Sequence, residues 1–317
     1  MLFRSQSVSL VPILLALLPV TALIAFGLVL KRLPGFRNPE FWSGAERLAY
    51  YCLLPVLLFT SVAEVDVAHV PLARLAAALV IPTVIVSLGI VLARRVIARD
   101  LPAFTSVLQG GIRFNTYIGL SLAGSLFGSE GSAVAAIVAA ILVPTVNVIS
   151  SLGFEFLRTG PTSLLALIKA IVTNPLVLGC VAGAAANITG LGLPDVAATV
   201  LDPLAAASLP IGLLCVGAGL QTFSMRAHAR AIIASTLIKL LVLPGLSLTA
   251  LAILDIPTVP ALVGLIFQSI ATASSGYVMA RQLGGDAKLM AALIAGQTVV
   301  MLLTLPIVLL IGQSVLG

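Results

Sequence analysis

The sequence predicts an all-α integral membrane protein with ten transmembrane helices in two inverted five-helix repeats, helices 4 and 9 being broken near the midplane. Three observations carry this expectation. Of 317 residues, 60% are hydrophobic and 9% charged, whereas a soluble domain carries roughly 25% charged residues. Apolar runs of about 20 residues, the length needed to cross a bilayer, recur from end to end. Three pairs of segments also repeat at nearly one offset.

The first apolar run follows Arg4 and ends at Lys31-Arg32. It is too long for a signal-peptide core and lacks a small-residue cleavage site, so it reads as a retained span. Breaking the apolar windows at charged or Pro/Gly-rich turns gives spans 11–32, 41–63, 72–93, 102–127 and 131–156, then 163–189, 195–221, 228–253, 258–281 and 287–312. LPAFTSVLQGG (101–111) lines up with VPALVGLIFQS (259–269), and LFGSEGSAVAAI (126–137) with QLGGDAKLMAAL (282–293). Leu54-Pro55 matches Leu209-Pro210, so all three pairs are offset by about 155–158 residues and divide the chain into repeats 1–157 and 158–317.

The net charge is +6, but the basic residues cluster in short loops, which points to orientation in a bilayer and not to nucleic acid. Loops after odd spans hold Lys31, Arg32, Arg37, Arg94, Arg95, Arg99, Arg158, Arg226, Arg230, Arg281 and Lys288; the opposite side holds Arg4 and Arg74. The positive-inside rule then places both termini outside the cytoplasm. Five spans per half is an odd number, so the second half inserts upside down, a recurrent design of secondary transporters.

Span 4 contains GGIRFNT, residues 110–116. Arg113 falls near its middle, where an arginine costs at least about 2.5–3.5 kcal/mol and must face an interior or wet cavity. Gly110 and Gly111 each lower helix propensity by roughly 1 kcal/mol relative to alanine. A break there exposes backbone N–H groups at the start of a second half-helix, which together with the dipole favour an anion. Arg113 adds a planar fork suited to a carboxylate, and Asn115 and Thr116 add neutral donors and acceptors. The competing reading pairs Arg113 with a structural acid and uses the glycines for close packing.

Span 9 is again small, polar and glycine-containing at its middle, Thr272-Ala273-Ser274-Ser275-Gly276-Tyr277. Two interrupted helices meeting at the midplane form the expected site, with Ser274, Ser275, Gly276 and Tyr277 facing GGIRFNT. Lys239 in span 8 lies too deep to snorkel and either shares the anion site or neutralises a carboxylate. Asp202 in span 7 is a coupling group, the counter-ion of Lys239, or a helix-start acid. Asn147 and Gln297 flank the same region by repeat logic or link helices by hydrogen bonds. His69 and His228 fall in predicted loops as solvated residues. Cys52, Cys180 and Cys215 read as small buried hydrophobes. There is no P-loop, nucleophile elbow or Cys/His metal spacing, so no enzyme, cofactor or metal site is expected.

These motifs together resemble the auxin efflux carrier family, within the wider group that includes bile-acid sodium symporters. The most specific pieces are RFNTYIGL (113–120) followed by LFGSEG, IKLLVLPG (238–245), and SSGYVMARQLGGDAKLMAALI (274–294) with its closing LTLPIVLL. The resemblance covers nearly the whole chain. It implies a scaffold from helices 1, 2, 6 and 7, a transport part from helices 3–5 and 8–10, crossing helices 4 and 9, and a homodimer. It also implies a bacterial inner (plasma) membrane location and a small organic anion as substrate, auxin-like or malonate/dicarboxylate-like. The family's span-4 asparagine maps onto Asn115. The plant members' prolines at both crossings are absent here, where Ser121 and Ser274-Ser275-Gly276 stand instead, and the long loop between spans 5 and 6 is missing. The leading expectation is an organic-anion carrier working by elevator-type alternating access. The alternatives are a sodium-coupled bile-acid-type symporter and a non-transporting receptor or channel.

Overall fold

The computed structural model describes residues 10–63, 70–98, 100–158, 172–173, 175–189, 195–219, 228–273 and 275–317, and among these every long regular element is a helix. They are α1 (Leu10–Leu30), α2 (Pro39–Ala63), α3 (Leu72–Leu92), α4 (Leu101–Ile112), α5 (Thr116–Arg158), α6 (Pro175–Ile188), α7 (Asp195–Gly219), α8 (Ala229–Ile253), α9 (Thr258–Ser269), α10 (Ser275–Leu283) and α11 (Ala287–Leu316). Seven helical stretches among the described residues are long and apolar enough to cross a membrane, one of them the run Leu101–Phe154; α6 and α9 are shorter apolar helices. Large apolar side chains stand exposed along these helices, among them Leu15, Leu18, Leu88, Leu92, Leu303 and Ile307. Water would penalise that surface; lipid does not.

Local chemistry sets the helix limits. Asn38 accepts from the Glu40 N–H at 2.9 Å with Pro39 as the first helical residue of α2. Asp100 and Asp286 cap α4 and α11, their Oδ1 atoms accepting from the Ala103 and Leu289 N–H groups at 2.7 and 2.9 Å. Such caps satisfy donors that a helix start leaves without an intrahelical partner. Two wide π-type turns interrupt α2 at Ala49–Leu53 and α8 at Ile238–Val242, just before Pro55 and Pro244. A proline removes the N–H that would have continued the regular ladder, and the wider turn absorbs the defect. Gly128, at φ +63° and ψ −144°, leaves the helical region inside α5 and turns the chain there. Gly284, its counterpart in the aligned segments, also has a positive φ, +82°.

The chain divides into two compact units, each drawing on both sequence halves: 1–18, 70–115 and 222–317 form one, 19–69 and 116–221 the other. In the second unit, α6 packs on α2 through glycine. A Cβ on Gly179 would lie 2.6 Å from the Pro55 carbonyl oxygen, and one on Gly183 the same distance from that of Phe59. Asn187 Nδ2 donates to the Ala63 carbonyl at 3.0 Å, closing the far end of the same contact. Cys180 and Cys215 are buried and free as expected, whereas Cys52 is exposed; it follows the exposed Tyr51 on a helix face that no described element covers. The first unit holds α3, α4, α8, α9, α10 and α11, and with them most of the residues that the sequence marks for chemistry.

Candidate functional site

Within the first unit, α4 ends at Ile112 and α9 at Ser269, and each is followed by extended backbone: Arg113 at φ −72°, ψ 159° and Ile270 at φ −91°, ψ 156°. The two extended links pair. The Asn115 N–H donates to the Ala271 carbonyl at 2.9 Å, and Thr272 Oγ1 lies 3.0 Å from the Gly110 carbonyl oxygen and 3.3 Å from that of Arg113. Gln297 of α11 completes the junction, Nε2 donating to Gly110 O at 2.9 Å while Oε1 accepts from the Thr272 N–H at 3.1 Å. Interrupting a helix inside a membrane strands carbonyls and N–H groups that lipid cannot satisfy. Here side chains and the opposing link take them up.

The interruption falls at 113–115, not at the glycine pair. Gly110 and Gly111 stay helical and buried. A Cβ on Gly110 would sit 2.6 Å from Ser235 Oγ and 2.8 Å from Leu293 Cδ1, and one on Gly111 would sit 2.6 Å from Ile90 Cδ1. Their role is close approach of α4 to α8, α11 and α3, as small residues serve between membrane helices.

Arg113 is 8% exposed. Its Nη1 donates to Met279 Sδ at 3.2 Å, and Nη2 lies 3.5 Å from Ser275 Oγ. Ser275 is the first residue of α10, so the guanidinium stands at the positive end of that helix dipole. Asn115 is buried, while Tyr277 is half-buried and Gly276 buried in α10. Phe114 packs edge-on against Phe267 with ring centroids 5.4 Å apart, fixing the link against α9. One helical turn before Arg113, and thus on the same face, Gln109 is 1% exposed with neither amide atom hydrogen-bonded.

Lys239, 0% exposed, points its ammonium at main-chain oxygens: Nζ lies 3.1 Å from Gln268 O and 3.4 Å from Phe267 O, both in the last turn of α9. Among the described residues no carboxylate lies within ion-pair distance of it. Gln268 Nε2 is itself held by Leu79 O at 2.9 Å and Thr83 Oγ1 at 3.1 Å, while its Oε1 is buried without a hydrogen-bond partner.

The remaining expected residues fall elsewhere. Thr116 opens α5, Asn147 is half-buried farther along α5, and Asp202 is exposed on α7, all in the second unit. Ser274, His69, Arg4, Arg99 and Arg226 lie outside the described residues. His228 is not simply solvated, its Nε2 lying 3.5 Å from Asp286 Oδ2. Sequence reasoning passed over Gln268, Gln109, Ser235 and Met279. An amide inside an apolar span is the signal that singled out Gln297, and it applies equally to both glutamines.

Compared with known proteins, the chain matches the family model described as membrane transport protein over residues 12–309. No curated protein matches it.

Proposed function

The chain belongs to the membrane transport protein family, that of the auxin efflux carriers, and from this premise we propose that it is a secondary carrier of small organic anions. The family is one of membrane transporters and not of enzymes. One observation carries the anion reading: a buried guanidinium stands at the N-terminus of a half-helix, Arg113 Nη2 being 3.5 Å from Ser275 Oγ. A guanidinium and the N-terminal end of a helix dipole are both positive, and an anion is attracted to both. Gln109, one turn earlier in α4, is buried with an amide that makes no hydrogen bond, a neutral group of the kind that suits a carboxylate. The remaining terms of the reading are ten spans in two inverted repeats, elevator-type motion of helices 3–5 and 8–10 against helices 1, 2, 6 and 7, and a homodimer. They rest on the repeat offsets, the loop charges and the family resemblance.

The test is a thermal-shift titration of the purified protein with mono- and dicarboxylates, beside Arg113→Gln. A bound ligand raises apparent stability by mass action. A carboxylate that stabilises the parent and not the variant supports the assignment; equal stabilisation of both removes Arg113 from the site. No response to any organic acid favours the receptor or channel reading. Uptake of the responding acid into proteoliposomes then establishes transport.

A further inference from the structure

We propose that the neighbouring ends of α3 and α8 form a binding site for one anionic diacyl phospholipid, its phosphate held by Arg95 and Arg230 and its two chains laid along the two helices. The arginines come from separate loops and meet through the main chain. Arg95 lies in the helical turn Arg94–Ile97 that follows α3, and Arg230 Nη1 donates to the Val96 carbonyl at 3.4 Å. Both side chains are exposed, and among the described residues neither is held in an ion pair. One such bond leaves most of the Arg230 fork open to a phosphate. The acids at this end, Asp100 and Asp286, are engaged as the caps of α4 and α11.

Each arginine stands one helical turn beyond a stripe of exposed apolar side chains. On α3 the stripe is Ile81, Ile85, Leu88 and Leu92, and on α8 it starts with Ile233 and Leu237. Arg95 is three residues past Leu92, and Arg230 is three residues before Ile233. The two stripes share one side of the helix pair. Ile90 and Ser235 mark the other side, where α4 packs: a Cβ on Gly111 would lie 2.6 Å from Ile90 Cδ1, and Ser235 Oγ donates to Val107 O at 3.4 Å. Two residues along a helix turn through about 200°, so Leu88 and Leu92 stand opposite Ile90, as Ile233 and Leu237 stand opposite Ser235. From Leu92 back to Ile81 the α3 stripe rises about 16 Å, close to half of the roughly 30 Å hydrocarbon core. The chains of one leaflet's lipid match that length with the phosphate level with the arginines. Basic pockets between spanning helices hold anionic lipid head groups in this way.

Lipid binding at this face requires only that these helices stand in a membrane and is independent of the solute carried. Carboxylate binding is measured in a separate titration, so either result can fail alone. The opposite end of the same helix pair supplies the control. There Arg74 Nη1 donates to Leu254 O at 3.2 Å, the same kind of contact made by one arginine instead of two.

The experiment is native mass spectrometry of the purified full-length protein, delipidated in a neutral detergent and titrated with dioleoyl phosphatidylglycerol or dioleoyl phosphatidylcholine. The parent is expected to retain one phosphatidylglycerol in preference to phosphatidylcholine. Arg95→Gln/Arg230→Gln is expected to bind phosphatidylglycerol about 25-fold more weakly, about fivefold for each basic residue at about 1 kcal/mol. Arg95→Lys/Arg230→Lys should keep most of the binding and Arg74→Gln all of it. Equal retention of the two lipids by the parent overturns the proposal. So does undiminished binding by the double glutamine variant, or a loss as large in Arg74→Gln. Dihexanoyl phosphatidylglycerol bound as tightly as the dioleoyl lipid also overturns it, since the apolar stripes are then unused. If the parent is a dimer that the double glutamine variant converts to a monomer, the face is a protein interface and the proposal falls.

Discussion

Gln297 and Thr272 make a sharp test of how the interrupted helices are held. Both donate to the same acceptor, Gly110 O, at 2.9 and 3.0 Å. Gln297→Leu leaves that oxygen one donor but strips the Thr272 N–H of its 3.1 Å acceptor; a buried group left unpaired costs about 1–3 kcal/mol. Thr272→Val keeps shape and leaves Gly110 O bonded to Gln297, so it costs about 1 kcal/mol. In the double variant Gly110 O loses both donors, a loss that neither single variant causes. The double should therefore exceed the sum of the singles by about 1 kcal/mol. The assay is thermal melting of the purified proteins in one detergent, with Gln297→Glu as a fourth member that places a carboxylate oxygen against Gly110 O. Strict additivity would refute the shared-acceptor geometry. A Gln297→Leu variant as stable as the parent would show that the links do not depend on it.

Gly128→Ala should cost about 1–3 kcal/mol although nothing lies within 4 Å of the added carbon, because φ +63°, ψ −144° is nearly closed to other residues. Gly89→Ala, also in open space but inside the regular helix α3, should instead stabilise by about 0.5–1 kcal/mol; melting of the pair separates backbone strain from sterics. Asp286→Ala removes the cap of α11 and the 3.5 Å contact with His228, and should lose about 1 kcal/mol, whereas Asp286→Asn, which still caps, should lose less. Equal losses in these two would mean that the contact with His228, not the cap, sets the effect.

The apolar windows were legible because hydropathy is a property of composition, and seven described stretches are long and apolar enough to cross a membrane; α6, by contrast, begins at Pro175 where its window begins at 163, with 163–171 outside the described residues. The place of the break in span 4 was not legible. Glycine propensity pointed to 110–111, but Ser235, Leu293 and Ile90 press on those positions and hold them helical. The interruption three residues later is enforced by long-range bonds from Ala271, Thr272 and Gln297, which no local pattern announces. Lys239 illustrates the same gap. Its deep charge is evident in the sequence, where an anion or a carboxylate is the expected partner. The oxygens at 3.1 and 3.4 Å belong to the main chain, whose negative character comes from a helix end and not from a residue type. An amide in an apolar span marks Gln297, and the same signal marks Gln268 and Gln109, both buried in equally apolar surroundings.

The two buried cations stand in opposite fields, and their variants should therefore differ. Lys239 faces the carbonyl end of α9, so the fold itself matches its charge. Lys239→Met leaves Phe267 O and Gln268 O without that donor and should cost about 1–3 kcal/mol for each carbonyl stranded. Arg113 stands at the N–H end of α10, where the dipole has its own sign. Arg113→Gln keeps a shorter neutral donor and removes the charge at that helix end, so the ligand-free protein is expected to lose less stability than Lys239→Met does. Function commonly retains such a locally unfavourable group where it must meet a ligand. Melting both variants without organic acids decides the matter. If Arg113→Gln loses as much stability as Lys239→Met, Arg113 is a structural cation, and the anion site must be sought elsewhere in the unit.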